Sequence, residues 1–424
     1  MTSKLAILGG RPAVAKGVKF KVWPKADKQD EVFVLRSLRG ESHAWGPNVV
    51  ALQEEFARWN GNRFAAACNS GTAALHMGLA AGEVGAGDEV ITTTLSWTSS
   101  ATCILHHNAI PIFVDIDEAT QLIDPAKIEA AITPKTKAIL PVHYWGLACD
   151  MDAIMTIARK HKLFVIEDCC QAHGATWKGK KVGTFGHCGA FSLNQNKNFS
   201  AGEGGLFVTD DEPRYVKARA LMSFGEMRAP EGSRDFHSYA MGWMYRMNDL
   251  TAAYARSGLQ RLDQTNKQAR ANWVRLRKAL ENTPGLIVPY DSKDRPNNGY
   301  AFVIRVDPSA IGYKGAVREL TDGVVEALKA EGVPMGPARM SLPAHTVFQA
   351  KEGYGHGCPW SCRFARKGIR YDMRQFPVTQ KVVDSSIQIA INGHRPPNGP
   401  REIDAIAAGV RKVFEHLADV PVGK

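Results

Sequence analysis

The order of apolar segments predicts an α/β architecture, with a large, mostly parallel sheet domain over residues 1–265 and a smaller C-terminal α+β domain over 266–424. Three observations carry this expectation. The chain has 424 residues, enough for a large core and a second domain. Between residues 64 and 167, short β-branched or apolar runs alternate with helix-like segments, the pattern of βα units. Near Leu262 the character changes, and after Pro284 helical and strand-like segments mix.

Residues 1–47 read as an irregular but ordered arm, broken up by Gly9, Gly10, Pro12, Pro24, Gly46 and Pro47 and carrying Trp23 and Trp45. Val49–Trp59 reads as an amphipathic helix and Phe64–Cys68 as a strand. The turn Asn69-Ser70-Gly71-Thr72 then opens a helix over Ala73–Ala81. Glu89–Thr92, Ile110–Val114, Ala138–Val142 and Leu163–Glu167 read as strands, with helices at Ser99–His106 and Met151–His161 between them. Asn248–Leu280 reads as one largely continuous helix, Tyr300–Val306 as a strand, Gly315–Glu331 as a helix and Ser386–Ile391 as a strand. Pro343–Arg374, rich in Gly, His, Tyr, Trp and Cys, is too long for a passive connection and is expected to serve an active site or an interface.

The balance of 53 Lys and Arg against 42 Asp and Glu gives a formal charge of +11, which favours anionic ligands. The basic residues are scattered, so nucleic acid is not an expected partner. The eight cysteines show no metal-ligand spacing with supporting histidines and read as reduced thiols. No metal is expected. The first residues hold too short an apolar run for a signal peptide, and no 18-residue apolar segment follows, so a cytoplasmic protein without a membrane partner is expected. No Gly-x-Gly-x-x-Gly follows a strand, which argues against a dinucleotide fold.

Lys197 is the most informative residue. It follows the apolar run from Gly189, stands five residues after Ser192 and enters the glycine-rich turn Gly202-Glu-Gly-Gly. Such a lysine reads as an amine held to form a Schiff base with pyridoxal 5′-phosphate. That cofactor demands further groups. Asp168, ending a buried strand, supplies a carboxylate for the protonated pyridine nitrogen, because a carboxylate there is costly unless it meets a cation. Gly71, Thr72 and Ser192 supply amides and hydroxyls for the phosphate. Trp97 offers a ring to stack on the pyridine, and Gln171 an amide for the ring oxygen or the imine. Glu167 alternates to the opposite side of its strand and reads as structural, His173 reads equally as scaffold, and Glu203 as a residue ordering the lysine loop. With an amino donor, the freed Lys197 amine moves a proton between the donor's α-carbon and the cofactor, giving a ping-pong transamination with pyridoxamine phosphate as its intermediate form.

From Trp45-Gly-Pro-Asn-Val through Asn69-Ser-Gly-Thr-Ala-Ala-Leu, Pro141-Val-His-Tyr-Trp-Gly, Ile166-Glu-Asp-Cys-Cys-Gln-Ala-His-Gly-Ala and the Lys197 segment to Tyr245-Arg-Met, the chain resembles the DegT/DnrJ/StrS family of sugar and cyclitol aminotransferases. The resemblance implies the aspartate aminotransferase fold, fold type I. It implies that Lys197 carries the cofactor as an internal aldimine, that Asp168 binds the pyridine nitrogen, that Thr72 and Ser192 bind phosphate, that Trp97 stacks and that Gln171 lies near the ring oxygen. A lysine at 197, where the family's sugar dehydratases carry histidine, implies an aminotransferase. A homodimer with active sites at the subunit interface, and L-glutamine or L-glutamate as donor, are implied as well. One departure stands out. Gly242-Trp-Met-Tyr-Arg246 puts Met244 where the family has an asparagine that reaches the partner's phosphate, and a thioether donates no hydrogen bond. Either Arg246, Trp243 or Asn248 supplies the donor instead, or the phosphate is held more weakly; Arg246 is included among the expected cofactor contacts.

The opening Leu-Ala-Ile-Leu-Gly-Gly-Arg-Pro-Ala and the Ser-Leu-Asn-Gln-Asn-Lys form around the lysine look more like the cyclitol branch, whose acceptor is a keto-cyclitol of the scyllo-inosose type. A nucleotide-linked 3-keto or 4-keto sugar is the alternative acceptor, and a lyase or dehydrating enzyme of the same fold the alternative chemistry. His143, Tyr144, His356, Trp360, Arg363 and Tyr371 are candidate polyol contacts.

Overall fold

The computed structural model describes residues 4–227 and 236–423. Its large sheet has seven strands: β1 (Phe64–Cys68), β2 (Glu89–Thr93), β3 (Ile110–Val114), β4 (Thr136–Leu140), β5 (Phe164–Asp168), β6 (Cys188–Ser192) and β7 (Gly205–Thr209). Their spatial order is β1-β7-β6-β5-β4-β2-β3. The pairs from β6 through β3 are all parallel, while β7 runs antiparallel to both β6 and β1. β2, β5, β6 and β7 are buried at every position, so they read as continuous apolar runs with little polar alternation. Helices Gly71–Ala81 and Met151–His161 are among those that follow its strands. The second of these is capped by Asp150 and ends on Arg159, Lys160 and His161, charges that suit the two ends of its dipole.

The small sheet is antiparallel throughout, with β8 (Leu286–Ile287), β9 (Val303–Val306), β10 (Met335–Pro337) and β11 (Ser386–Ile389) in the order β8-β9-β11-β10. Its core gathers Phe302, Ile304, Ile387 and Ile389 with Val324 and Leu328 of helix Val317–Ala330 and Ile406 and Val410 of helix Pro400–Glu415. Leu5 and Val14 of the N-terminal arm pack into this same core. The arm therefore closes over the part of the fold formed by the other end of the chain.

Two expectations need correction. Residues 28–38 form a helix, Lys28–Leu38, inside the stretch read as irregular. Asp27 and Asp30 make a reciprocal capping box, a short polar signal that the surrounding glycines and prolines obscured. The continuous helix over 248–280 is instead two, Asp249–Gln260 and Leu262–Leu280, meeting at Arg261. There the backbone leaves helical geometry (φ −112°, ψ 4°), and the guanidinium bonds Asp30 at 2.7 and 2.8 Å. The first helix packs on Lys28–Leu38 and Pro47–Asn60, and the second on Pro400–Glu415, so the break redirects the chain from one core to the other.

Candidate active site

Lys197 stands on the connection between antiparallel strands β6 and β7, beyond the carboxyl end of β6. Main-chain bonds Leu193 N to Gly204 O (2.8 Å) and Gln195 N to Gly202 O (2.7 Å) pin the two sides of this loop, and Asn194 Nδ2 donates to Glu203 Oε1 at 2.7 Å. Gly202 holds φ +80°, a region costly for a side chain. The loop thus carries the lysine at a fixed height above the sheet. Glu203 has the ordering role expected of it.

A cavity of about 500 Å³ opens at the carboxyl ends of β2, β5 and β6, where open α/β sheets place ligands. Gly71, Thr72, Trp97, Asp168, Gln171, Ser192 and Lys197 all line it, and so does Tyr144. Asp168 is 3% exposed; Ser100 Oγ donates to its Oδ2 at 2.7 Å and Cys170 N to its Oδ1 at 3.0 Å. Ser96 and Ser100 share a further hydroxyl contact at 2.7 Å. Thr72 Oγ1 donates to Ser99 Oγ at 2.8 Å, and Ser192 Oγ accepts from Asn194 N at 3.3 Å. Ser70 caps the helix Gly71–Ala81 through Ala73 N, while the amides of its first residues have no intrahelical partner. A Cβ on Gly71 would lie 2.6 Å from Ser192 Cβ and 2.9 Å from Cys170 Sγ, so only glycine lets the helix start and Ser192 converge. Gln171 Oε1 accepts from Trp145 N at 3.1 Å, which leaves its NH₂ as the remaining donor end. Trp97 is 61% exposed and forms part of the open side.

Lys197 Nζ lies 3.3 Å from Tyr300 Oη, a contact supplied by the small domain. Burial lowers the Lys197 ammonium, and Tyr300, Cys170 and Asp168 raise it; the second set prevails, holding the amine above its ordinary value. His173 is buried between Phe191 and Phe199 (ring centroids 5.5 and 5.9 Å) and does not reach the cavity. Burial, helped by the Lys197 charge, pushes it down to about 3. It belongs to the scaffold. Glu167 faces away from the cavity as expected, accepting from the amides of Gly183, Phe185 and Gly186 at 2.7–2.8 Å and meeting His143 Nε2 at 3.0 Å. His143 Nδ1 accepts from Cys149 N at 3.0 Å. The buried trio His143, Glu167 and Cys169 therefore already spends the histidine and carboxylate atoms that a metal ion would need.

Several expected polyol contacts do not reach this cavity. His143 is fully buried in the network just described. Trp360 and Tyr371 lie in an apolar cluster with Phe113 and Phe348, where Trp360 Nε1 donates to Tyr371 Oη (2.8 Å) and Tyr371 Oη to Pro111 O (2.9 Å). Neither His356 nor Arg363 lines the cavity within the chain, and Arg363 sits over the Phe364 ring. Phe348, Trp360 and Tyr371 of the Pro343–Arg374 segment pack against β3 and helix Ser99–Leu105, while Tyr354 and Phe364 are exposed and line no part of the cavity. Arg246 is also apart. It lines a separate recess with Trp45, Arg219 and Glu226, its guanidinium 5.4 Å from the Phe224 centroid.

The sequence reading missed Tyr300, Met340 and Gln388, which close the cavity from the small domain, and Asn194, Asn196 and Trp145. It also missed Ser96 and Ser100 as the partners that orient Asp168. A Ser-x-x-x-Ser spacing just after a strand was the available signal.

A sequence model of the DegT/DnrJ/EryC1/StrS aminotransferase family matches residues 24–384. The spore coat polysaccharide biosynthesis protein SpsC of Bacillus subtilis is 38% identical over 339 residues, 78% of this chain and 85% of that protein. A Streptoalloteichus tenebrarius protein named "Putative L-glutamine:3-amino-2,3-dideoxy-scyllo-inosose aminotransferase" is 36% identical over 432 aligned residues, 98% of this chain and 99% of that one. Among solved structures, 3-amino-5-hydroxybenzoic acid synthase superposes with a TM-score of 0.82 at 28% identity, covering 94% of this chain and 99% of the other. The chain belongs to the DegT/DnrJ/EryC1/StrS family of pyridoxal phosphate-dependent aminotransferases and has the α/β architecture of fold type I.

Proposed function

We propose that this family member transfers an amino group from L-glutamine or L-glutamate to the ketone of a keto-cyclitol, with Lys197 as the residue that carries pyridoxal 5′-phosphate. The observation that carries this reading is the convergence, in one cavity, of a lysine amine, a buried carboxylate and a helix start beside a serine hydroxyl. These residues fit the cofactor's chemistry. The glycine-only approach of Gly71 to Ser192 leaves amides and hydroxyls together for a phosphate, and Asp168 is a carboxylate with no cation salt-bridged to it among the described residues.

When bound, the cofactor supplies an electron sink for the bond made or broken at the amino-bearing carbon. The protein supplies the rest. Asp168, fixed by Ser100 and the Cys170 amide, would hold the pyridine nitrogen in its protonated form. Gly71, Thr72 and Ser192 would hold the phosphate, Trp97 would offer its indole face to the ring, and the NH₂ of Gln171 would be the donor for the ring oxygen. Lys197 Nζ moves the proton at the donor's α-carbon, and Tyr300 Oη steadies that amine. Arg246 and the segment around Met244 fit a contribution across a homodimer interface. Exposed apolar residues there, Met241 at 79%, Tyr239 at 56% and Met244 at 53%, support a covered surface.

The full-length similarity to a protein named for a scyllo-inosose-type acceptor favours the cyclitol. The test loads the protein in the pyridoxamine form and screens keto-cyclitols and nucleotide-linked keto-sugars for return of the pyridoxal spectrum. Return with a keto-cyclitol is expected. Return only with nucleotide sugars overturns the acceptor, and failure of glutamine or glutamate to generate the pyridoxamine form overturns the reaction.

A further inference from the structure

Arg395 is a fully buried cation (1% exposed) with no carboxylate partner among the described residues. Such a charge is costly to bury, and burial pushes the guanidinium down to about 10. It does not line the cavity. Its bonds go instead to the lysine loop: Nη1 donates to Asn198 Oδ1 and Nη2 to Asn196 O, both at 2.9 Å, so it grips the residues on either side of Lys197. Its guanidinium carbon also lies 5.1 Å from the Trp23 ring centroid and 5.3 Å from that of Tyr300. Trp23 in turn donates its indole N–H to Lys197 O at 3.0 Å, and Tyr300 meets Lys197 Nζ.

We propose that Arg395 is a positioning residue for Lys197: bonded to Asn196 and Asn198 and stacked on Trp23 and Tyr300, it fixes both the main chain that bears the lysine and the phenol that meets its amine. The arrangement joins three distant parts of the chain. The arm supplies Trp23, the sheet domain the loop, and the small domain Tyr300 and Arg395. An arginine suits the place because its planar fork can bond two acceptors while its faces meet aromatic rings, which a lysine cannot reproduce. The inference rests on Lys197 being the cofactor-bearing amine.

The charge has a second consequence. The groups facing Lys197 are Tyr300 from the small domain, Asp168 and Cys170 from the end of β5, and His173 behind them, which burial keeps neutral. Arg395 adds a cation beyond Tyr300, so removing it favours the charged form of the amine or imine. The experiment compares the wild-type protein with Arg395→Met by two readouts. One is the pH midpoint of the visible imine band in the cofactor-loaded protein. The other is the pH midpoint of Lys197 acetylation in the cofactor-free protein, read by mass spectrometry. Both midpoints are expected to rise by about one unit. Should Arg395→Met fail to fold, Trp23→Phe, which keeps an aromatic face and loses the donor to Lys197 O, is expected to move both by about half a unit. Unchanged midpoints in a folded variant overturn the proposal and leave Arg395 as packing. A wild-type protein with no imine band would sink the Schiff-base reading instead, and the acetylation readout would still decide whether Arg395 governs Lys197.

Discussion

On the large-sheet wall of the cavity, Asp168 ends β5, Ser192 ends β6 and Gly71 starts a helix, so each group sits at the terminus of a regular element. On the opposite wall, Tyr300 and Met340 come from irregular chain of the small domain and Gln388 from β11, an inner strand of its sheet. On the proposed reading the first wall would meet the cofactor, and strand ends give it precision because their positions are set by the sheet beneath. The second wall, drawn from the small domain, is then the one proposed to meet the acceptor. A division of this kind separates chemistry from specificity, and substitutions on each wall should therefore fail differently.

The largest effect is expected from Lys197→Ala. Turnover should fall by roughly 10²–10⁴-fold or more while cofactor still binds without a covalent bond, as followed by absorbance and single-turnover kinetics. Wild-type turnover in that variant would remove Lys197 from its role. Asp168→Asn keeps the shape of the wall and removes its charge; a loss on the order of 10²–10³-fold in kcat is expected, with the fold unchanged by circular dichroism. A loss under about tenfold would show that the carboxylate is not the group that holds the pyridine nitrogen. Trp360→Ala tests the Pro343–Arg374 segment as a possible acceptor wall. Since Trp360 is packed with Phe113 and Phe348, the expected outcome is about 3 kcal/mol lost in denaturant unfolding, with the ranking of acceptors unchanged. A changed acceptor ranking at full stability would return this segment to the substrate side of the comparison.

Gly71→Ala should be milder, about 1–3 kcal/mol, because the new methyl must push Ser192 or Cys170 aside; equilibrium dialysis should show weakened cofactor binding. A separate expectation is a pH dependence of stability. His76, His173 and His394 are buried and pushed down to about 2, 3 and 3, chiefly by burial. With folded values below the unfolded value near 6.5, the stability they contribute is present above that pH. As the pH falls below it, the unfolded chain takes up protons that the folded chain refuses, so Tm should decline steadily toward pH 4. His173→Gln should flatten that decline; an unchanged slope would mean that the ring is protonated in place.

The parallel strands were legible because burial on both faces writes them as apolar runs. Asp168, Ser192 and Lys197 were legible because a polar or charged side chain at the end of such a run is costly to bury unless a ligand or a partner group meets it. Trp360 and Tyr371 were misread for the opposite reason: aromatic, hydroxyl and indole groups have the same composition in a binding loop and in a packed one, and only the partners across the gap decide which it is. Arg261 and Asp30 show the same limit at the level of helices, since nothing local distinguishes one long helix from two until a carboxylate 231 residues away bonds the junction.

By itself the sequence marked the run of parallel strands, the lysine and the strand-ending carboxylate, because each is signalled by neighbours within a few residues along the chain. The tertiary structure alone decided that Tyr300 meets the lysine, that Ser100 orients Asp168, that Trp23 and Arg395 grip the loop, and that Arg246 lies outside the cavity. Those contacts form between residues 68 to 199 positions apart, and their partners are chosen by how the arm and the small domain pack on the sheet.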